Sequence, residues 1–271
     1  MAKDWNALTT LNGHRPWPIP SRPWRMTMSW DDLLFMHYPV RYDALRSLVP
    51  SELELERWDG EAWIGIVPFS MRSVGPPGLN WVPWLSAFPE INVRTYVRCE
   101  GKPGVFFLSL DAANWLAVLG ARIGFGLPYF WAQITSRRTA SGAVDYRSTR
   151  LLGGHARFRG SYGPTGESYR AAPNTFEHWL VERYCLYSLH RGRLCRGEVH
   201  HAPWDLHKAY CEDLDHSMTA WAGIELPDCE PVLHFVHSID VLAWLLETTG
   251  SKREEGLKET HVDRVRKTVS V

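Results

Sequence analysis

The chain has 271 residues, 45% of them hydrophobic and 22% charged, and its 30 basic residues balance its 30 acidic ones. This balance gives no global charge that would favour nucleic acid or an anionic membrane, and no apolar run approaches the ~18 residues of a membrane helix. Five dispersed cysteines without a Cys-x-x-Cys pair argue against a disulfide framework or a zinc ribbon. We therefore expect a soluble, cytoplasmic protein.

The first predicted elements are an arm, a strand and a short helix. Four prolines, ending with Pro23, predict that residues 1–23 form an extended arm on the surface. Apolar and polar residues alternate from Trp24 to Trp30, which indicates a strand with one buried face. The segment RYDALRSLVP has the apolar spacing of a short helix that Pro50 ends.

The next elements are marked by their turns. Asp59 and Gly60 lie between two β-rich runs and predict a hairpin. A Gly- and Pro-rich loop over residues 73–89 is long enough for a lid or rim. Two strands are expected about the turn formed by residues 102–104. A helix of about ten residues is predicted in ANWLAVLGARIGFG, ending at its glycines.

The rest of the chain predicts mostly strands. YFWAQITSRRTASGAVDYRSTRLL, ARFRGSYGPTGESYRA, YCLYSLHRGRLCRGEVHHA and PVLHFVHSIDVLAWLL indicate antiparallel strands, whereas residues 206–222 are expected to be helical. Asn174, three residues before Glu177, predicts a capping box for the helix in FEHWLVERY. The fold class is therefore mainly β (α+β), a closed antiparallel barrel with a few accessory helices over residues 24–250, followed by a charged tail over residues 251–271.

The segment EINVRTYV places polar residues at alternate positions. In a strand, Glu90, Asn92, Arg94 and Tyr96 share one face, opposite an apolar face. The commoner interpretation is a surface strand with a polar outer face. The other is the wall of a polar cavity, where Arg94 would clamp a carboxylate and Glu90 would act as a base or orient Arg94.

A second polar segment, GEVHHAPWDL, places Glu198 and His200 on one strand face and His201 on the other. Two ligands fall short of the set that zinc requires, so we predict no metal; a site completed by His207 or His216 is the open alternative. Two interpretations of His200 are open: a hydrogen-bonded histidine in the core, or a histidine that performs acid–base chemistry in a cavity. No Gly-x-Ser-x-Gly elbow, P-loop or dinucleotide fingerprint is present, and no cofactor is expected.

Seven segments, in one order, resemble the YqjF-like family of uncharacterised bacterial proteins. They are WDDLLFMHYPV, WDGEAWIGIVPFSM, SAFPEINVRTYV, GKPGVFFLSLDAA, GLPYF, EHWLVERYCLY and RGEVHHAPW. The resemblance covers about residues 24–246. That family in turn resembles the acetoacetate decarboxylase superfamily, which implies a cone-shaped antiparallel barrel around a central cavity.

The segment GARIGFGLPYF carries this second resemblance. It is similar to the superfamily's Gly-Arg-Glu-x-x-Gly-x-Pro-Lys-Lys pattern, matching it at Gly120, Arg122, Gly126 and Pro128. Ile123 replaces the glutamate, while Tyr129 and Phe130 replace the two lysines. In the superfamily the first lysine after the proline forms a Schiff base with a keto acid. A phenol cannot do so, which implies that this chain is not a Schiff-base decarboxylase.

Together the residues and the resemblance predict a barrel that binds a small molecule, an oxo- or hydroxy-carboxylate. The expected catalytic residues are Glu90, Tyr129 and His200, for lysine-independent acid–base chemistry. The expected ligand-binding residues are Arg94, Asn92, Trp131, Gln133 and Arg122. A non-catalytic ligand-binding or sensing barrel is the alternative, because a binding cavity and an active site use the same residue types. No nucleic-acid or membrane partner is expected, and a homo-oligomer is left open.

Overall fold

The computed structural model describes residues 3–76 and 86–249, and in this part of the chain thirteen strands form one sheet. The strands are β1 Met26–Val40, β2 Glu54–Leu55, β3 Ala62–Gly75, β4 Phe88–Cys99, β5 Lys102–Ala112, β6 Tyr129–Arg138, β7 Val144–Arg150, β8 Arg157–Tyr169, β9 Cys185–His190, β10 Arg193–His200, β11 Leu206–His216, β12 Val232–Ala243 and β13 Glu247–Thr248. The α-helices that lie wholly within the described residues are α1 Tyr42–Arg46, α2 Trp115–Phe125 and α3 Phe176–Val181, and short 3-10 helices cover Trp5–Thr10 and Ala220–Ala222.

The sheet closes on itself twice. A first ring runs through β12, β1, β3, β4, β5, β6, β7, β8 and β11 and returns to β12. The β9–β10 hairpin also joins β5 to β12, so a second ring shares β12, β1, β3, β4 and β5 with the first. Neighbouring strands are antiparallel except where β5 meets β6 and β9. The predicted fold class, a mainly antiparallel barrel with accessory helices, is confirmed.

The shared strands bury both of their faces because each separates two cores. In β1, Leu33 and Phe35 belong to one buried cluster, whereas Leu34 and Met36 belong to the other. A strand buried on both faces has a continuous apolar run instead of alternation. The alternating pattern therefore predicted only the beginning of β1, which spans 15 residues.

Two predicted hairpins differ in detail from the observed ones. Asp59 and Gly60 form a turn with positive φ, but the preceding strand β2 pairs with β4 and not with β3. The turn between β4 and β5 is formed by Glu100 and Gly101, which have φ of 51° and 74°, while residues 102–104 already belong to β5. Each turn ends in a glycine because glycine adopts a left-handed backbone without strain.

Two predictions about helices are wrong. Residues 206–216 form β11, where pairing with β8 satisfies the backbone groups and continues the first ring. The cap of α3 is Thr175, whose hydroxyl accepts a hydrogen bond from the backbone N–H of His178. Asn174 has φ of 66°, which is not the extended backbone that an N-cap residue adopts.

The N-terminal arm is docked on the barrel and is not merely extended over its surface. Its 3-10 helix lies near β10, where His200 Nε2 donates to the Leu8 carbonyl over 2.9 Å. His14 Nε2 donates to the His201 carbonyl over 2.8 Å, and Arg15 is buried.

Two expectations concern residues outside the described part of the chain. The charged tail over 251–271 lies outside them, as does most of the predicted lid or rim, residues 77–85. No helix in the described part is long and apolar enough to cross a membrane.

Candidate functional site

A cavity of about 430 Å³ lies within the second ring, a size found for small-molecule sites. Its wall is formed by β1, β3, β4, β5, β9, β10 and β12, with Tyr129 at the start of β6. Aromatic rings pack along one side: Trp204 stacks on Trp30 at a centroid distance of 6.0 Å and meets the edge of Phe35 at 5.0 Å. The wall is therefore mostly apolar, and its polar groups are few.

Strand β4 supplies three of these polar groups. Glu90, Asn92 and Arg94 all line the cavity and are only 1%, 5% and 8% exposed. The alternate residues Ile91 and Val93 pack in the core of the first ring. Since β4 belongs to both rings, neither face of EINVRTYV lies on the surface, and the surface-strand interpretation is wrong.

Glu90 and Tyr129 form a hydrogen-bonded pair in the cavity wall. The Tyr129 hydroxyl donates to Glu90 Oε2 over 2.8 Å. Burial raises the pKa of Glu90 to about 8, and Asp111 adds to the increase, while hydrogen bonds from Tyr129 and Asn92 oppose it. Burial also raises the pKa of Tyr129. At neutral pH the pair is therefore mainly a carboxylic acid beside a phenol, both able to donate a proton or a hydrogen bond.

The segment GLPYF places Tyr129 at this position. Helix α2 ends at Phe125, and Gly126 has φ of 60°. A Cβ at Gly126 would lie only 2.7 Å from the Leu189 carbonyl oxygen, so the close approach to β9 requires glycine. Arg122 Nε donates to the Tyr129 carbonyl over 2.6 Å. Arg122 thus holds the backbone of Tyr129 and is not among the residues that line the cavity, unlike the ligand-binding position predicted for it.

Arg94 is a buried guanidinium that forms no ion pair with any described residue. Its Nε has no hydrogen-bond partner in the described part, and its Nη2 lies 3.5 Å from the Leu180 carbonyl oxygen. The guanidinium carbon lies 5.0 Å from the Phe35 ring centroid. Gly65 provides the space for its stem, because a Cβ there would lie 3.3 Å from Arg94 Cγ. An anion in the cavity would compensate this charge.

Trp131 and Gln133 do not lie in the cavity, contrary to the prediction. Both are exposed, Trp131 to 43%. They share a strand face with Tyr129, but only the start of β6 pairs with β5 at the border of the second ring. Further along, β6 belongs to the first ring alone, so the same face points to solvent.

His200 also lies away from the cavity, because it faces the N-terminal arm. It binds the Leu8 carbonyl and approaches Arg15, and burial lowers its pKa to about 4. Two residues that were not among the predicted site residues line the cavity instead: His201, whose pKa is lowered by burial, and Arg183, which pairs with Glu56. Strand alternation places His201 on the face opposite His200, but no sequence motif distinguishes Arg183.

The other polar cluster is centred on Glu198, which also borders the cavity but is paired within the protein. The Glu198 carboxylate accepts hydrogen bonds from Arg15, over 3.0 Å, and from the Trp17 indole, over 2.7 Å, and it also pairs with Lys102. These cations compensate the charge of the Glu198 carboxylate. Within residues 3–76 and 86–249, no group of three or more His, Cys, Asp or Glu side chains is placed to hold a metal ion.

Comparisons of the sequence identify its relatives. The model of the DUF2071 family, described as "Uncharacterized conserved protein", matches residues 27–240. The "Uncharacterized protein YqjF" of Bacillus subtilis (strain 168) is 43% identical over 228 residues, which are 84% of this chain and 94% of that protein.

Comparisons of the structure show a known fold. An enduracididine biosynthesis enzyme, MppR, solved in complex with pyruvate, has a TM-score of 0.62 at 15% identity, covering 88% of this chain and 95% of that one. An acetoacetate decarboxylase from Legionella pneumophila has a TM-score of 0.58 at 14% identity, covering 90% and 95%. An acetoacetate decarboxylase-like enzyme from Sphingomonas wittichii RW1 has a TM-score of 0.55 at 15% identity, covering 88% of this chain and 100% of that one. The barrel is therefore acetoacetate decarboxylase-like.

Proposed function

The chain belongs to the DUF2071 family, and from this premise and its acetoacetate decarboxylase-like fold we propose that the barrel binds a small oxo- or hydroxy-carboxylate and performs acid–base chemistry on it without a lysine. The observation that carries the proposal is that the Glu90–Tyr129 pair and the unpaired Arg94 line one cavity. The pyruvate complex of MppR supports it, because a protein of the same fold binds an oxo acid.

Arg94 is the anchor for the carboxylate of the ligand. Its guanidinium is buried, forms no ion pair with the residues that the structure describes, and is part of the cavity wall. A planar guanidinium can bind a carboxylate through two parallel hydrogen bonds, which are stronger than bonds between neutral groups. Asn92 adds an acceptor, since its buried Oδ1 has no partner in the described part of the chain.

Glu90 and Tyr129 form the acid–base pair. A carboxyl group with a pKa of about 8 changes its proton occupancy near neutral pH, which suits a general acid or base. Ionised Glu90 would take a proton from the carbon beside the carbonyl of the ligand and return it at a neighbouring position. Such an isomerisation needs no electron acceptor.

The lysines of the described residues support chemistry without a Schiff base. None of them lines the cavity. Lys3 pairs with Asp240 on the surface, and Lys102 pairs with Glu198. Reduction of the protein by borohydride in the presence of an oxo acid should therefore leave its mass unchanged.

A non-catalytic ligand-binding or sensing protein is the second candidate, and the mostly apolar and aromatic wall favours it. Turnover separates the two functions. If proton exchange or conversion of a bound acid, followed by NMR, is present in the wild type and lost in Glu90→Gln, the protein is an enzyme. Binding without any conversion would establish the sensing alternative.

The anchor is tested by comparing Arg94→Met with Arg147→Met, which removes an exposed arginine of β7 and serves as the control. We expect titration calorimetry with a panel of oxo- and hydroxy-carboxylates to show a loss of at least ~30-fold in affinity for Arg94→Met, since removing a buried partner of a charge costs about 2 kcal/mol or more. The control should bind as the wild type does. Equal affinities of Arg94→Met and wild type would refute the proposed site.

A further inference from the structure

The strand register orders the polar groups along the cavity. On the neighbouring strand β3, Glu90 lies opposite Phe69 and Arg94 lies opposite Gly65. Four residues of extended strand span about 13 Å at ~3.3 Å per residue. The Cα atoms of Glu90 and Arg94 are therefore at different depths, with Asn92 between them.

The Arg94 guanidinium lies near two aromatic rings. Its carbon is 5.0 Å from the ring centroid of Phe35 and 5.7 Å from that of Tyr96, which follows Arg94 on β4. Its Nη2 is nearest to the Leu180 carbonyl oxygen. No ion pair joins Arg94 to Glu90 within the described residues. Because their backbones are about 13 Å apart along β4, we expect a ligand that contacts both groups to be elongated.

The cavity continues beyond Glu90 in the opposite direction with mostly apolar side chains; the Glu198 carboxylate also borders the cavity but is paired with Arg15 and Lys102. Met71 pairs with Phe88, two residues before Glu90, and also lies opposite Trp30 of β1. Beyond that level Met26, Met28 and Val74 line the cavity. Methionine side chains are flexible and polarizable, so this wall can adapt to apolar chains of different shape.

We propose that the cavity binds an elongated, amphipathic monocarboxylate in a fixed orientation, an inference that rests on the proposed function. The carboxylate pairs with Arg94. The oxygen function that reacts lies several carbons away, at Glu90 and Tyr129. The apolar end lies against the wall formed by Met26, Met28, Met71 and Val74, hereafter the methionine wall. The ligand is thus a medium-chain acid, longer than a three-carbon oxo acid.

Calorimetry with straight-chain monocarboxylates of increasing length tests the orientation. Once the chain passes Glu90, each added methylene should tighten Kd by about fourfold, as burial of a methylene predicts. An acid with the oxo group several carbons from the carboxylate should bind about tenfold or more tightly than its isomer with the two groups adjacent. Glu90→Gln should reduce this preference between isomers.

The variant Val74→Asn probes the methionine wall, and Val232→Asn is its control. Both replace a partly buried strand valine, but Val232 does not line the cavity. Val74→Asn should weaken only the longest acids, by about tenfold, while Val232→Asn follows the wild type. If all acids bind Val74→Asn as tightly as the wild type, the proposed wall is wrong.

The outcomes separate this inference from the proposed function. If Arg94→Met weakens every acid but affinity does not depend on chain length, or the isomer with adjacent groups binds more tightly, the anchor stands and the elongated ligand is refuted. If Arg94→Met binds all acids as the wild type does, both the proposed function and the elongated ligand are refuted.

Discussion

Two buried arginines of this protein have opposite surroundings. Arg15, in the N-terminal arm, has a fully buried side chain and a carboxylate partner, Glu198, at 3.0 Å. Arg94, in β4, is nearly as buried and has no ion pair in the described part of the chain.

The difference indicates which polar cluster is structural. In the Arg15 cluster every charge has a partner within the protein, so its bonds stabilise the contact between the arm and β10. In the cavity, Arg94 Nε and Asn92 Oδ1 have no hydrogen-bond partner among the described residues. Buried polar groups are usually hydrogen-bonded, so unmatched groups around an enclosed space are expected to meet a ligand.

The largest expected effect comes from breaking the Arg15–Glu198 ion pair. Glu198→Gln leaves Arg15 buried without its counter-charge, which should lower the free energy of unfolding by about 3–5 kcal/mol. Arg94→Met removes a charge that has no partner, so the free energy of unfolding should stay equal or rise by about 1 kcal/mol. Urea unfolding of both variants measures this. Similar destabilisation by the two substitutions would contradict the distinction between the clusters.

The second expected effect is a dependence of folding stability on pH that Glu90, in the cavity, should cause. The pKa of Glu90 rises from its ordinary value of 4.5 to about 8 in the folded protein. The folded state therefore holds a proton that the unfolded state releases above pH 4.5. Stability should fall as pH rises from there to about 8, at up to ~1.4 kcal/mol per pH unit, and then level off.

Glu90→Gln should remove this fall in stability with rising pH. The difference in stability between wild type and Glu90→Gln at each pH therefore gives the contribution of Glu90. The buried histidines act in the opposite direction, since the lowered pKa of His200 costs stability as pH falls below 6.5. Urea unfolding at a series of pH values gives the measurement. Parallel pH profiles of wild type and Glu90→Gln would show that Glu90 is not held neutral.

The smallest expected effects concern residues outside the cavity. Trp131→Ala and Gln133→Ala alter exposed side chains of β6 and should change both ligand affinity and stability by less than ~0.5 kcal/mol. Calorimetry and thermal melts check this, with Arg94→Met as the sensitive reference. A tenfold loss of affinity in either variant would place the ligand on the outer face of β6.

Sequence patterns predicted those features that depend on neighbouring residues. The alternation in EINVRTYV placed Glu90, Asn92 and Arg94 on one face, and the structure shows that this face lines the cavity. GLPYF predicted a turn that begins a strand at Tyr129. Alternation alone could not decide whether the polar face points inward, because that depends on the strands of the second ring.

The same limit explains the errors. Strand periodicity places Trp131 and Gln133 on the same face of β6 as Tyr129. The two rings share β5, so only the start of β6, which pairs with β5, borders the cavity. The rest of that face lies on the surface. His200 was directed to the arm by partners more than 180 residues away in sequence. The sequence by itself determined most strands, the turn glycines and the residue types available for chemistry, since these follow from local backbone preference and side-chain spacing; β11 is the exception, because its pairing with β8 overrides a helical pattern. Only the tertiary structure decided which charges remain unpaired, because pairing depends on which distant strands meet.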